Sequence, residues 1–202
     1  MNALKRKMDK LRPYLSAILV WFAVWTVTQG FFINTAWLSL FSSDAVTAVV
    51  WVTIYFIAVM VIAAIVFRKQ LHMIFPRQRY IWLYLLVVVA MVYVLATRDT
   101  VGVLPVPVYL FMIVTTVFWQ DILTFGALQA KIEHLNPRYG WLIVVLVFWL
   151  GHVVFDLPGI ASNSFGALLV LIAAFGFAWL RKITKSFYVG NVLHLLFYLV
   201  LL

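Results

Sequence analysis

Apolar residues run along this chain in long blocks with few polar interruptions. An α-helix rises about 1.5 Å per residue, so about 20 mostly apolar residues cross the hydrocarbon core of a bilayer. Seven segments meet that measure, at roughly 14–33, 45–67, 80–97, 107–131, 141–157, 164–181 and 186–202. The first is the least regular: "TQGFFIN" interrupts it, and "TAWLSLF" reads as an interfacial helical turn carrying Trp37. "TRDTVGVLPVPVY" (97–109), with its two prolines, predicts an irregular outer segment, "FPRQR" (75–79) a cytoplasmic turn, and "DLPGIASNS" (156–164) a short outer loop. No internal repeat or low-complexity linker is present. The pattern predicts an all-α polytopic membrane protein of about seven transmembrane helices, folded as one membrane domain over 1–202.

Composition strengthens this picture. The chain is 66% hydrophobic and 10% charged, with mean hydropathy +1.09. A soluble domain is about half apolar and a quarter charged, so little chain remains for one here. The net charge of +9 raises the question of nucleic acid. The position of the charges answers it. Fourteen of the fifteen lysines and arginines fall on one side of the seven-span map, and Arg98 alone on the other. That asymmetry predicts a cytoplasmic N-terminus and an external C-terminus. The excess then reads as topology and attraction to anionic lipid, with no nucleic-acid partner. The basic start runs into a long first span without a convincing cleavage site, so no cleavable signal is expected. Cysteine is absent, which excludes a disulfide framework and a thiol nucleophile.

Against this apolar background three ionisable residues fall inside the spans: Asp121, His152 and His194. Such groups cost about 2.5–3.5 kcal/mol at a helix centre on insertion scales and are functional candidates by default. Counted from the cytoplasmic ends, they lie at depths of roughly 15, 16 and 12 Å. A carboxylate and two imidazoles in one layer predict a small shared cavity, opening nearer the cytoplasmic face, that binds and activates a water. Gln120 adjoins Asp121. Asn191 and Tyr198 share a helix face with His194, and Phe148, four before His152, is placed to wall the cavity. Gly126, Gly151 and Gly190 allow close helix approach.

Blander readings stand beside this one. Asp121 reads equally as a helix–helix hydrogen bond to either histidine, and Gln120 and Asn191 as structural amides. Asp156 reads as an outer loop anchor, and Glu133 and His134 as solvated groups. One carboxylate and two imidazoles also form a set suited to zinc or non-haem iron. With each residue on a different helix and no H-E-x-x-H, the expectation is no metal or cofactor, zinc remaining the alternative. No serine sits in a G-x-S-x-G turn or at the histidines' depth.

Three local patterns occur in an order that resembles the CPBP family, also called Abi, which includes the CAAX prenyl endopeptidases. That family carries E-E-x-x-x-R-G, then F-x-x-x-H, then H-x-x-x-N on its core helices. Here "FWLGH" (148–152) matches the second pattern intact. "HLLFY" (194–198) keeps His194 and has Tyr198 in place of the asparagine, and the approach to it, "FGFAWLRKITKSFYVGNVLH" (175–194), is similar to the family's. "QDILTFGALQ" (120–129) sets Gln120 and Asp121 over the paired glutamates, Phe125 over the arginine and Gly126 over the glycine. The resemblance covers roughly 105–202 and implies a four-helix core there, preceded by N-terminal helices in 1–104.

By that resemblance the first glutamate and the F-x-x-x-H histidine activate water, while the last histidine and asparagine stabilise the oxyanion. Carried over by position, Asp121, or a rearranged site around Gln120, acts with His152 on the water, since the Gln120 amide cannot be the base, and His194 and Tyr198 serve the oxyanion. The implied activity is endopeptidase cleavage of a membrane-anchored or hydrophobic peptide, in the plasma membrane of a prokaryote. The competing expectation is a catalytically inactive relative that serves as a membrane scaffold, a regulator or a peptide-toxin immunity factor. A small proton- or ion-coupled carrier is a third class.

Overall fold

A computed structural model describes residues 2–30, 38–68 and 80–201. The first part of the interfacial turn, Thr35 to Trp37, and the whole "FPRQR" turn lie outside these residues. The described chain is helical except for one short hairpin. In order come α1 (Asn2–Thr26), α2 (Ala45–Val66), α3 (Tyr84–Thr97), β1 (Thr100–Val101), β2 (Leu104–Pro105), α4 (Val106–Asp121), a π-helical stretch (Ile122–Leu128), α5 (Gln129–Leu135), α6 (Gly140–Phe155), α7 (Leu157–Ser162), α8 (Ser164–Thr184) and α9 (Tyr188–Leu196), which ends in a π-helical turn (Phe197–Leu201).

Three of these are long and apolar enough to cross a membrane: Ala45–Val66, Val106–Leu135 taken through its π-helical stretch, and Ser164–Thr184. Ile81–Thr97, Gly140–Phe155 and Tyr188–Val200 are apolar but shorter. α1 starts far earlier than the expected 14–33, because the basic residues before Tyr14 continue the helix rather than precede it. The predicted irregular segment at 97–109 contains the hairpin instead. Thr100 pairs with Pro105 and Val101 with Leu104, and Gly102 supplies the positive φ of 60° that the tight turn requires. The predicted outer loop at 156–164 holds the helical turn α7, started by Asp156, whose carboxylate accepts from the Gly159 N–H at 3.2 Å.

α4 is the hub. Its first half packs with α2, α3 and α9 in a cluster that includes Val49, Val94, Leu110, Ile113 and Leu195. From Trp119 onward the partners change. The π-helical stretch and α5 pack with α1, α6 and α8 in a second cluster around Trp25, Phe125, Phe148 and Ala178. A π-helical turn inserts an extra residue and rotates the faces that follow. Here it begins directly after Asp121. Small residues bring the helices together. A Cβ built on Gly151 would lie 2.8 Å from the Trp21 ring, so α1 crosses α6 where only glycine fits. At the basic ends, Lys182 Nζ donates to the Arg138 carbonyl at 3.0 Å and ties the α5–α6 turn to α8.

Asp44 starts α2: its side chain accepts from the Thr47 N–H at 2.8 Å. That backbone hydrogen bond, followed by one from the Thr47 side chain, holds the Asp44 carboxyl below its usual range. A lowered folded pKa stabilises above the unfolded value of about 3.9 and is lost as pH falls through the folded one. Asp44→Ala is therefore expected to speed hydrogen exchange at Thr47 at neutral pH, and the difference from wild type should vanish once Asp44 protonates. Equal exchange at neutral pH would refute this.

Candidate functional site

Adjacent helix positions point about 100° apart, and Gln120 and Asp121 use that angle to face different neighbours. Asp121 turns toward α9. Its Oδ2 accepts from Asn191 Nδ2 at 2.9 Å, and His194 Nδ1 stands 3.1 Å from its Oδ1 and 3.2 Å from its Oδ2. Asn191 and His194 are three apart on α9, the spacing that brings both to one face. Asn191 Nδ2 also reaches the Val117 carbonyl at 3.3 Å, one turn before Asp121. Tyr84, at the start of α3, donates from its hydroxyl to Asn191 Oδ1 at 2.6 Å. Asp121 is 0% exposed. The carboxylate is thus held by an amide and an imidazole, and the pairing fixes the proton on His194 Nδ1. The ring of His194 packs against Phe177, at 4.8 Å between centroids, and Tyr198, at 5.4 Å.

Gln120 turns the other way. Its Oε1 accepts from Gln29 Nε2, which comes from the turn following α1. Two further hydrogen bonds flank this amide pair: Trp119 Nε1 donates to Thr28 Oγ1 at 3.1 Å, and Trp21 Nε1 to Thr124 Oγ1 at 3.0 Å. Gln29 and Gln120 line a cavity of about 640 Å³ together with Thr116, His152, Asp156, Asn163 and Tyr198, among others. That volume is within the range of ligand pockets. His152 donates from Nδ1 to the Phe148 carbonyl, 3.0 Å away. Its ring rests between Phe148, at 4.5 Å, and the edge-on indole of Trp25, at 5.4 Å.

The structure therefore divides the residues expected to share one cavity. Gln120, His152 and Tyr198 line it, while Asp121, His194 and Asn191 form a buried network on a neighbouring face of α4. Phe148 supports His152 without lining the cavity. The location of the cavity is a second correction. It is walled by Asp156, Gly159, Ile160, Ser162 and Asn163, at the ends of α6 and α8 away from Arg138 and Lys182, and not nearer the basic side. Depth along a helix, which residue counts give, carries no azimuth. Among the described residues no three His, Asp or Glu side chains gather as a group that could hold an ion. Phe125, in the position of the family's arginine, packs against Phe148 and Phe177 at 5.2 and 5.7 Å.

Sequence reasoning missed Gln29 and Tyr84. A signal existed for Gln29, since it is an uncharged polar residue inside an otherwise apolar span. Tyr84 gave none, because tyrosines in such helices read as interfacial anchors.

Helices long and apolar enough to cross a bilayer, with buried polar side chains between them beside a cavity, mark an integral membrane protein. Residues 102–200 match the Rce1-like family, described as type II CAAX prenyl endopeptidase Rce1-like. This stretch, just under half of the chain, is similar to that family, in keeping with the CPBP resemblance. No curated protein and no solved structure gives a significant match.

Proposed function

We propose that this protein is a CAAX-protease-like membrane protein that holds an apolar peptide segment in the Gln120–His152 cavity and does not hydrolyse it. One observation carries the reading. The residue that lines the cavity beside His152 is an amide, which cannot take a proton from water, while the neighbouring carboxylate of Asp121 is buried and engaged by Asn191 and His194. A general base must reach the proton it removes. The protein would act as a scaffold, a regulator or a peptide-toxin immunity factor for another membrane protein. It would cross the plasma membrane of a prokaryote seven times, N-terminus inside and C-terminus outside, with its family core in 105–202.

A second reading has its own support. The Asp121–His194 contact resembles the carboxylate–imidazole pairs that orient a base. In that reading the protein is an endopeptidase, with Asp121 and His152 acting on water and His194 and Tyr198 at the oxyanion after rearrangement around the site.

The test is cleavage of prenylated and transmembrane peptides by purified protein in detergent. The expected result is no turnover by wild type and measurable turnover by Gln120→Glu, which restores a carboxylate beside His152. General-base catalysis typically contributes about 10²–10⁴-fold, so the gain should be unmistakable. Turnover by wild type that His152→Ala abolishes would overturn this proposal in favour of the endopeptidase.

A further inference from the structure

Gln29 lies outside the segment that matches the family, yet it touches the residue at the centre of the site. Its Nε2 donates to Gln120 Oε1. With that oxygen occupied, the polar group that Gln120 has left is its own Nε2. Among the described residues this nitrogen meets no protein partner, and it is not one of the sealed-off polar atoms. Because Gln120 lines the cavity, its N–H groups are what it offers there.

Two other groups on the cavity wall are free in the same sense. The hydroxyl of Tyr198 has no hydrogen-bond partner among the described residues, since the Tyr109 hydroxyl bonds to the Tyr198 main-chain carbonyl instead, at 2.8 Å. His152 uses Nδ1 to donate to the Phe148 carbonyl. In a neutral imidazole Nε2 then carries the lone pair and accepts. Gln120 and Tyr198 thus add donors, and His152 an acceptor, to a wall whose other uncharged polar residues are Gln29, Thr116, Ser162 and Asn163. It contains no lysine or arginine, and its one carboxylate is Asp156. An anion entering would find no counter-charge, and burying an unpaired charge is costly. Two donors and an acceptor without a cation are complementary to a neutral group that has a carbonyl and an N–H.

We propose that Gln29 is a positioning residue that turns the Gln120 amide so that its N–H groups face the cavity, and that the cavity thereby recognises an uncharged internal peptide group and rejects an anionic chain end. Glutamine, not glutamate, at 120 is then what suits the site to holding a peptide group. The inference rests on the peptide-holding function proposed above and specifies its chemistry.

The test uses the full chain in lipid nanodiscs and a fluorescent 12-residue leucine–alanine peptide, acetylated and amidated. A parallel set carries an E-alkene in place of each central peptide unit in turn, which keeps the shape but removes both carbonyl and N–H. A last peptide ends in a free carboxylate within the central region. Wild type should bind the all-amide peptide about tenfold more tightly than the alkene at one position, as expected for one or two net hydrogen bonds. It should also reject the carboxylate peptide. Gln29→Met should reduce the amide-to-alkene preference to about threefold or less while still binding the alkene peptide as well as wild type does. Each preference is a ratio within one variant, so partial loss of folded protein cannot imitate the effect. If all peptides bind but Gln29→Met keeps the full preference, the positioning role is overturned. If wild type binds the carboxylate peptide as tightly as the amide, the proposed selectivity is overturned. If no peptide binds wild type, the peptide-holding function itself fails.

Discussion

Asp121→Leu is expected to destabilise the protein by about 2–4 kcal/mol, since it leaves two buried donors without their acceptor at about 1–3 kcal/mol each. The carboxylate is fully buried and receives Asn191 at 2.9 Å and His194 at 3.1 Å. Leucine fills a similar volume but accepts nothing. Asn191 Nδ2 would keep only its longer 3.3 Å contact with the Val117 carbonyl, and His194 Nδ1 would lose both of its Asp121 contacts. Ordinary interhelical hydrogen bonds in membrane proteins average only about 0.6 kcal/mol, because helices separated in lipid find other partners. The larger value is expected because Asn191 and His194 lose one shared, fully buried acceptor together. Asp121→Asn keeps one acceptor oxygen and should lose less. The double variant Asp121→Leu, His194→Leu should be more stable than the sum of the single losses predicts, since coupled partners are not additive. Unfolding by detergent titration measures all of these. If Asp121→Leu stays within about 1 kcal/mol of wild type, the network is not holding α4 to α9.

Most helices were legible because hydrophobic blocks of the right length admit one interpretation. Ala45–Val66, Gly140–Phe155 and Ser164–Thr184 follow the expected 45–67, 141–157 and 164–181 closely. The hairpin at Thr100–Pro105 was not legible, since two prolines argue against helix but do not say what replaces it. The meeting of Asp121 with His194 was foreseeable from their depths. Which side of α4 each polar residue faces was not. A single step in sequence sends Asp121 to α9 and Gln120 to Gln29. Nothing in a hydropathy pattern distinguishes those azimuths, or announces the π-helical turn that starts one residue later. The family pattern carried nothing about Gln29 and Tyr84, which come from segments outside the matched region. The structure thus sharpens what the motifs suggested. The departures from the family at 120 and 121 have different consequences, one for the cavity and the other for the buried network.

Phe148→Ala should cost about 3 kcal/mol, at the lower end of the 3–5 kcal/mol typical of buried Phe→Ala changes. The lower end applies because lipid solvates an aromatic ring well, which shrinks the transfer contribution. The lost van der Waals contacts and the void remain. Those contacts are dense here. The ring meets Phe125 at 5.2 Å, His152 at 4.5 Å and Trp25 at 5.7 Å, so it joins α1, the π-helical stretch and α6 at one point. The main-chain bond from His152 Nδ1 to residue 148 survives the change, because it uses the carbonyl. Alanine therefore removes the ring beneath His152 without removing the group that sets its tautomer. Phe148→Leu keeps much of the volume and should recover a large part of the loss. If His152 is held chiefly by its backbone bond, the ¹⁵N shifts of its imidazole should report the same tautomer in wild type and Phe148→Ala despite the drop in stability. A switch of tautomer would mean that the aromatic packing, rather than the carbonyl, sets which nitrogen faces the cavity. A stability loss below about 1 kcal/mol would show that Phe148 does not anchor the junction of these helices.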